Sequence, residues 1–195
     1  MSSSLLLLAR GVAMALFLLL VSVYPKTGNA ADNSGGTAED DKRRFEKEFA
    51  DQKLRAEQGD PKSQYQWGLS CIYDQQGSLA EGLRWLLLAS KQGYVDAEAE
   101  AGGCYAFGIG TEVNADEAIR LLRDAASKGS ARALNQLGFL SINGLGPLPK
   151  DLNQAEKFLL EAIKKGAPWA EKRLQEVRDM LKKQSPTPPD GKPSP

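Results

Sequence analysis

The sequence predicts an all-α protein: a short right-handed α-solenoid of three helical hairpins with a capping helix at each end. Glycines recur at intervals of 34, 36 and 37 residues, at Gly59, Gly93, Gly129 and Gly166. Fifteen positions before the last three of these glycines stands a helix-capping residue that is followed three positions later by Glu or Gln: Ser78, Asn114 and Asp151. Helix starts and stops that repeat in fixed phase at this period are typical of stacked helical hairpins.

The first thirty residues have the composition of a targeting segment. Arg10 is the only charge before an apolar run over 12–23, and a small residue at Ala30 fits a cleavage site. We therefore predict a signal peptide over 1–30. An uncleaved signal anchor is the alternative, but the uninterrupted apolar run is shorter than the roughly 20 residues that a membrane-spanning helix needs.

The rest of the chain divides by composition. Small polar residues over 31–39 predict a flexible linker, and the charged segment 40–58 is interpreted as an N-terminal capping helix, with a partly disordered arm as the alternative. A C-terminal capping helix is expected over 167–184, and the proline-rich residues 185–195 are expected to form a disordered tail that acts as a spacer, a ligand or neither. Between the capping helices lie three repeats, at about 60–93, 94–129 and 130–166.

Each repeat is expected to hold two helices. The first helices are predicted near 61–73, 95–107 and 131–143, and the second near 79–92, 115–128 and 152–165. Each first helix carries a glycine near its middle, at Gly68, Gly102 and Gly138, where glycine costs about 1 kcal/mol relative to alanine. The repeated penalty indicates that two helix backbones approach closely there. We therefore expect Gly102→Leu to destabilise the fold sharply and Gly110→Ala, in a loop, to do little.

The second and third repeats share a specific order of small and aromatic residues. The second contains Ala97, Ala101-Gly102, Tyr105, Gly108-Ile109-Gly110, Asp116, Ala118, Ala125-Ala126 and Gly129, and the third Ala133, Leu137-Gly138, Gly144-Leu145-Gly146, Asp151, Ala155, Ala162 and Gly166. At these residues the chain resembles the Sel-one-like repeat (SLR) family, a subclass of tetratricopeptide-like solenoids, over about 60–166. The first repeat departs most, with a shorter loop and Cys71 where Tyr105 stands in the second. The resemblance implies an adaptor that holds other proteins and carries over no active site.

The composition excludes several kinds of site. The chain has no histidine, which excludes catalytic triads that use histidine as the base and most zinc and haem sites. Without residues 1–30 it has 23 basic and 25 acidic residues, a near-balance that gives no electrostatic reason to expect nucleic acid or a membrane surface as a partner. We expect no cofactor, no metal and no membrane span in the mature form.

The two cysteines are a candidate disulfide. Cys71 and Cys104 are the only cysteines, and an even count in an exported protein favours pairing. Against pairing, neighbouring helix axes stand about 8–10 Å apart, whereas the Cα atoms of bridged cysteines lie about 4.4–6.8 Å apart. The alternative is two small buried apolar side chains.

Four residues are predicted to form a contact strip on the concave side of the solenoid: Tyr65, Leu69, Asn135 and Phe139. They stand six or ten positions after a closing glycine, on a side of the first helix away from the positions that face the core. In tetratricopeptide-like solenoids this helix lines the concave face, and exposed aromatic side chains are frequent binding anchors. Peripheral packing is the alternative.

These observations predict a non-catalytic scaffold or adaptor of the bacterial cell envelope, located in the periplasm, that binds a protein or peptide on the solenoid surface. One alternative is a secreted factor that acts on a host or neighbouring cell surface. A second is an envelope enzyme, which the absence of histidine and of a nucleophile paired with a base argues against.

Overall fold

A computed structural model of the protein describes residues 38–74 and 77–184. Within them the chain forms helices α1 (Ala38–Glu57), α2 (Pro61–Tyr73), α3 (Leu79–Lys91), α4 (Val95–Phe107), α5 (Ala115–Ser127), α6 (Ala131–Asn143), α7 (Leu152–Lys164) and α8 (Ala170–Gln184). The expected signal peptide, most of the expected linker and the proline-rich tail lie outside the described residues. The last two residues of the expected linker, 38–39, belong to α1.

The helices pack in chain order as hairpins. The pairs α2/α3, α4/α5 and α6/α7 form the three hairpins, while α1 packs on α2 and α8 packs on α7. This arrangement confirms the predicted all-α solenoid. The first helices of the second and third hairpins, α4 and α6, also contact each other. We call the inner face the side of α2, α4 and α6 that is turned away from α3, α5 and α7.

Side-chain caps open the second helix of every hairpin. Ser78 accepts a hydrogen bond from the Glu81 amide at 3.1 Å, and Asn114 and Asp151 make the equivalent bonds at 3.1 and 2.9 Å. Since each cap satisfies an amide that has no partner within its helix, the three capping positions begin helices as predicted. The four closing glycines have φ between 84° and 97°, a left-handed conformation that ends a helix at little cost only in glycine.

The mid-helix glycines lie where two helices of one hairpin touch. A Cβ added to Gly68 would stand 3.0 Å from the carbonyl oxygen of Gly82 on α3. At Gly102 it would stand 2.8 Å from Cγ of Leu122, and at Gly138 2.8 Å from Cγ of Leu159. Both distances are shorter than a van der Waals contact between carbons. The predicted close approach is therefore confirmed, and its partner is a residue of the second helix in every hairpin.

The expectation for Gly110 is wrong. Gly110 has φ +70°, and a Cβ there would lie 2.2 Å from the carbonyl oxygen of Leu79 and 2.7 Å from the amide nitrogen of Ala80. The loop of the second hairpin thus rests on the start of α3 in the first hairpin. Gly146 repeats the arrangement one hairpin later, where its Cβ would lie 2.4 Å from Cβ of Ala115 at the start of α5. These loops are joints between hairpins, so a side chain does not fit.

Clusters of buried apolar residues follow one another along the hairpin stack. Leu86, Leu122 and Leu159 occupy equivalent positions of the three second helices and have no exposed surface. At the N-terminal end, Phe49 of α1 packs on Trp67 with ring centroids 4.8 Å apart. At the C-terminal end, α8 buries apolar side chains against the third hairpin. The two terminal helices therefore cover apolar surfaces that a solenoid otherwise exposes.

Both cysteines are free thiols in the structure. Cys71 lies in the cluster beneath α1, whereas Cys104 lies in the core between the first and second hairpins. Burial raises the pKa of both thiols, so neither is an activated nucleophile. Their burial fits the alternative of two small apolar side chains, and the Cys71–Cys104 disulfide stays a prediction for experiment to test.

Candidate interaction surface

Two residues of the predicted contact strip are buried. Tyr65 is 9% exposed, and its ring packs on that of Tyr94, just before α4, with centroids 4.9 Å apart. Asn135 is 5% exposed and accepts a hydrogen bond from Nη1 of Arg173 on α8 at 2.6 Å. The expected exposure of these two side chains is wrong, because Tyr94 of the second hairpin packs on Tyr65 and α8 packs beside Asn135.

The other two residues of the strip are half-buried on the inner face. Leu69 packs at the edge of the first core cluster. Phe139 contacts Phe107 of the preceding hairpin, with ring centroids 5.8 Å apart, and the guanidinium of Arg173 lies 5.2 Å from its ring centroid. The accessible edge of the strip is therefore apolar and aromatic beside a cation, a combination that suits partner binding. A binding role for the four residues stays a prediction.

A buried carboxylate joins all three hairpins. Glu100 on α4 is 1% exposed, receives a hydrogen bond from Arg132 on α6, and lies 3.5 Å from the hydroxyl of Tyr73 on α2. Burial raises the pKa of Glu100, and the positive charge of Arg132 opposes that rise. The periodic pattern does not reveal this pair because neither residue recurs at its phase in another repeat. An acid and an arginine 32 residues apart, close to one repeat length, are the only signal in the sequence.

A second polar contact recurs within hairpins with different chemistry. In the first hairpin, Nε2 of Gln92 donates to Oε1 of Gln64 at 2.8 Å. At the equivalent positions of the second hairpin, Lys128 pairs with the largely buried Glu98 at 2.7 Å. Each contact ties the end of the second helix to the start of the first. The two contacts occupy equivalent places in the two hairpins, although one joins neutral amides and the other is an ion pair. Their shared role is to hold the two helices of a hairpin together.

The repeat signature covers more than half of the chain. A model of the Sel1 repeat matches residues 61–94, 95–130 and 131–166. The chain belongs to the Sel1 repeat family. The three matched segments coincide with the three hairpins of the structure, so one Sel1 repeat is one hairpin here.

The chain is also similar to a curated relative and to solved structures. The chain is 36% identical over 105 residues to "Chitin synthase regulatory factor 3" of Schizosaccharomyces pombe; the match covers 51% of this chain and spans only 11% of that protein's length. A crystal structure of a Sel1 repeat protein from Oxalobacter formigenes superposes with a TM-score of 0.52 at 28% identity, covering 66% of this chain and 98% of that one. The protective antigen c5321 of uropathogenic Escherichia coli, described as an SLR fold, gives a TM-score of 0.39 at 20% identity over 68% of this chain and 36% of that one.

The Sel1 repeats of this chain present a surface suited to contact with another protein. Over residues 38–74 and 77–184, no helix combines the length and the apolar composition of a membrane-spanning segment. The same residues bring together no group of three or more His, Cys, Asp or Glu side chains that could hold a metal ion. The buried acids Glu98 and Glu100 are each paired with a cation of the fold. Glu98 therefore holds the two helices of the second repeat together, and Glu100 joins that repeat to its neighbours.

Proposed function

We propose that this chain is a non-catalytic scaffold that holds a protein or peptide partner on its solenoid surface, in the periplasm of a bacterial cell envelope. The observation that carries the proposal is the stacking of three Sel1 repeats into one continuous solenoid, because Sel1 repeats mediate protein–protein interaction and are generally non-catalytic. The yeast relative is named as a regulatory factor for an enzyme, which is consistent with repeats that act on a partner.

The inner face is the part of the solenoid that we assign to the partner. It exposes edges of Leu69, Tyr73, Phe107 and Phe139, and the guanidinium of Arg173 stacks beside them. The outer helices, by contrast, expose large apolar side chains singly, as at Leu88. Because binding anchors are usually grouped aromatic or arginine side chains, the inner face is the stronger candidate.

The location rests on the sequence of residues 1–30, whose charge, apolar run and small terminal residue suit export. A secreted factor has the same features, so the two hypotheses differ only in where the mature chain stays. Fractionation of cells that encode the chain separates them: a periplasmic scaffold stays with the cells, and a secreted factor is found in the medium. N-terminal sequencing of the exported chain is expected to give Ala31 as its first residue.

Capture of partners from cell-envelope extract tests the scaffold function. The full chain is compared with Phe139→Ala and with a matched control, Leu88→Ala, which shortens a partly exposed apolar residue on α3. We expect wild type and the control to retain the same partner and Phe139→Ala to lose it. Equal retention by all three would place the contact surface elsewhere. Retention of nothing above an unrelated helical protein would contradict the scaffold function.

A further inference from the structure

A row of three side chains crosses the inner face toward the C-terminal end of the solenoid. The ring of Phe107 on α4 lies 5.8 Å from the ring of Phe139 on α6, and the guanidinium of Arg173 on α8 lies 5.2 Å from the centroid of Phe139. All three side chains are half-buried, so each presents an edge at the surface. We call these three side chains the inner row. Aromatic surfaces of this kind are the ones on which proline-rich segments dock.

Helix α8 ends close to the inner row. It runs back along α7, because Arg178 pairs with Glu156 in the second turn of α7 at 2.7 Å. The start of α7 lies beside the end of α6, where the amide of Asp151 donates to the carbonyl oxygen of Ser141 at 2.8 Å. Since α8 ends six residues, about 9 Å, beyond Arg178, the chain leaves α8 at the end of the stack where α6 also ends.

The residues that follow α8 have a composition and a spacing that suit the inner row. The segment 185–195 contains five prolines, and Asp190 follows the first three of them. In an extended proline-type conformation, the six residues from Gln184 to Asp190 span about 19 Å. Arg173 stands eleven residues before Gln184, which is about 16 Å of helix. A chain that turns back along α8 therefore brings the carboxylate of Asp190 level with the guanidinium of Arg173.

We propose that the segment 185–195 folds back over the inner row of its own chain. Its prolines pack on the rings of Phe107 and Phe139, and the carboxylate of Asp190 accepts hydrogen bonds from the guanidinium of Arg173. A guanidinium carries five N–H donors, and Nη1 of Arg173 donates to Asn135, so a carboxylate adds to this contact without replacing it. The inference rests on the proposed scaffold function, because the inner row belongs to the surface that we assign to the partner.

The segment then competes with the partner for one surface. Because it is joined to α8, its effective concentration at the inner row is on the order of millimolar. A contact with a dissociation constant of about 1 mM is therefore formed in about half of the molecules, and a tighter partner displaces it. Docking of the segment thus lowers the affinity for the partner by about twofold and leaves the full chain able to bind.

Photocrosslinking within the purified full chain tests where the segment lies. A photoreactive phenylalanine analogue is placed at Phe139 or, as the outer-face control, at Leu88, and the linked peptides are identified by mass spectrometry. We expect a link from position 139 to the segment 185–195 of the same molecule and none from position 88. The absence of this link, equal links from both positions, or a link only between two molecules would overturn the proposal.

Two variants of the segment test the assigned ion pair. Asp190→Ala is expected to lower the yield of the link from position 139 by at least about threefold, because it removes the carboxylate from Arg173. Lys192→Ala is the matched control, a charge removed two residues away, and is expected to leave the yield unchanged. Equal yields for the two variants would overturn the pairing of Asp190 with Arg173.

These measurements separate the docked segment from the scaffold function, because the purified chain contains no partner. The two variants are then compared in capture of the partner that Phe139→Ala loses. We expect Asp190→Ala to bind that partner about twofold more tightly than wild type or Lys192→Ala does. Equal affinities would overturn the competition and leave the scaffold function standing. Capture of nothing by any full chain would contradict the scaffold function, whereas the crosslink decides independently whether the segment docks.

Discussion

The contacts within hairpins and the contacts between hairpins are built on different rules. Within every hairpin the same pair recurs, a glycine of the first helix against a leucine of the second: Gly68 with Leu86, Gly102 with Leu122, Gly138 with Leu159. Between hairpins the contacts differ: a tyrosine pair joins the first two hairpins and a buried carboxylate with an arginine joins the last two, while an asparagine with an arginine joins the third hairpin to α8. The hairpin is thus the repeated unit, and the contacts that differ along the chain are those between one hairpin and its neighbour.

The largest expected effect breaks the repeated contact. Gly102→Leu places four carbon atoms where a single Cβ would already lie 2.8 Å from Leu122 and 3.2 Å from the Ala118 carbonyl oxygen. We expect a loss of about 4 kcal/mol in the free energy of unfolding, at the upper end for overpacking, because the opposing group includes backbone. Urea unfolding followed by circular dichroism measures it. A loss below that of Gly110→Ala would contradict the within-hairpin rule.

The next largest effect is expected when the buried ion pair between the second and third hairpins is removed. Arg132→Ala removes the cation from a fully buried carboxylate at Glu100, and an uncompensated buried charge costs about 3 kcal/mol or more. Lys128→Ala is the matched control because it removes a half-exposed cation from Glu98, where about 1 kcal/mol or less is expected. The same unfolding measurement compares the two variants. Equal losses in the free energy of unfolding would contradict the expectation that the Arg132–Glu100 pair contributes more than the Lys128–Glu98 pair.

A third effect tests whether the loop at Gly110 rests on the preceding hairpin. Gly110→Ala forces a left-handed residue to carry a Cβ into the carbonyl of Leu79, so we expect a loss of about 2 kcal/mol. The control is Glu112→Ala, an exposed residue in the same loop. Both variants are measured by thermal unfolding. An unchanged midpoint for Gly110→Ala would show that this loop does not rest on α3.

A smaller effect concerns pH. The pKa of Glu100 is raised above 4.5 in the folded chain, so folding favours the protonated form of this carboxyl. Its contribution to stability is therefore fully present below pH 4.5 and is lost as pH rises through the folded-state pKa. The stability of wild type relative to Glu100→Gln is expected to fall between pH 4 and pH 7. A constant difference across that range would contradict the burial argument.

The smallest expected effect concerns the cysteines, whose thiols are free and buried. A thiol reagent is expected to react with neither in the folded chain and with two after unfolding without reductant. Zero reactive thiols in the unfolded chain would establish the Cys71–Cys104 disulfide instead.

The periodic part of the fold could be predicted from the sequence, and the joints could not. The closing glycines and the capping residues locate the helix ends because each acts on backbone groups only a few residues away. The sequence predicts that Tyr65 and Asn135 are exposed and that Gly110 tolerates a side chain, yet Tyr94 covers Tyr65, α8 covers Asn135, and Gly110 rests on the first hairpin. That cover depends on the angle between hairpins, which no local signal encodes. The contacts of Glu100 cannot be predicted for the same reason, since its partners Tyr73 and Arg132 are on other hairpins.

Site-specific photocrosslinking tests the central claim, that the partner lies on the inner face, most directly. A photoreactive phenylalanine analogue is placed at Phe139 on the inner face or at Leu88 on the outer helix α3, and the full chain is irradiated in cells that encode it. We predict a discrete adduct from position 139 and none from position 88. An adduct from position 88 with none from position 139 would contradict the account.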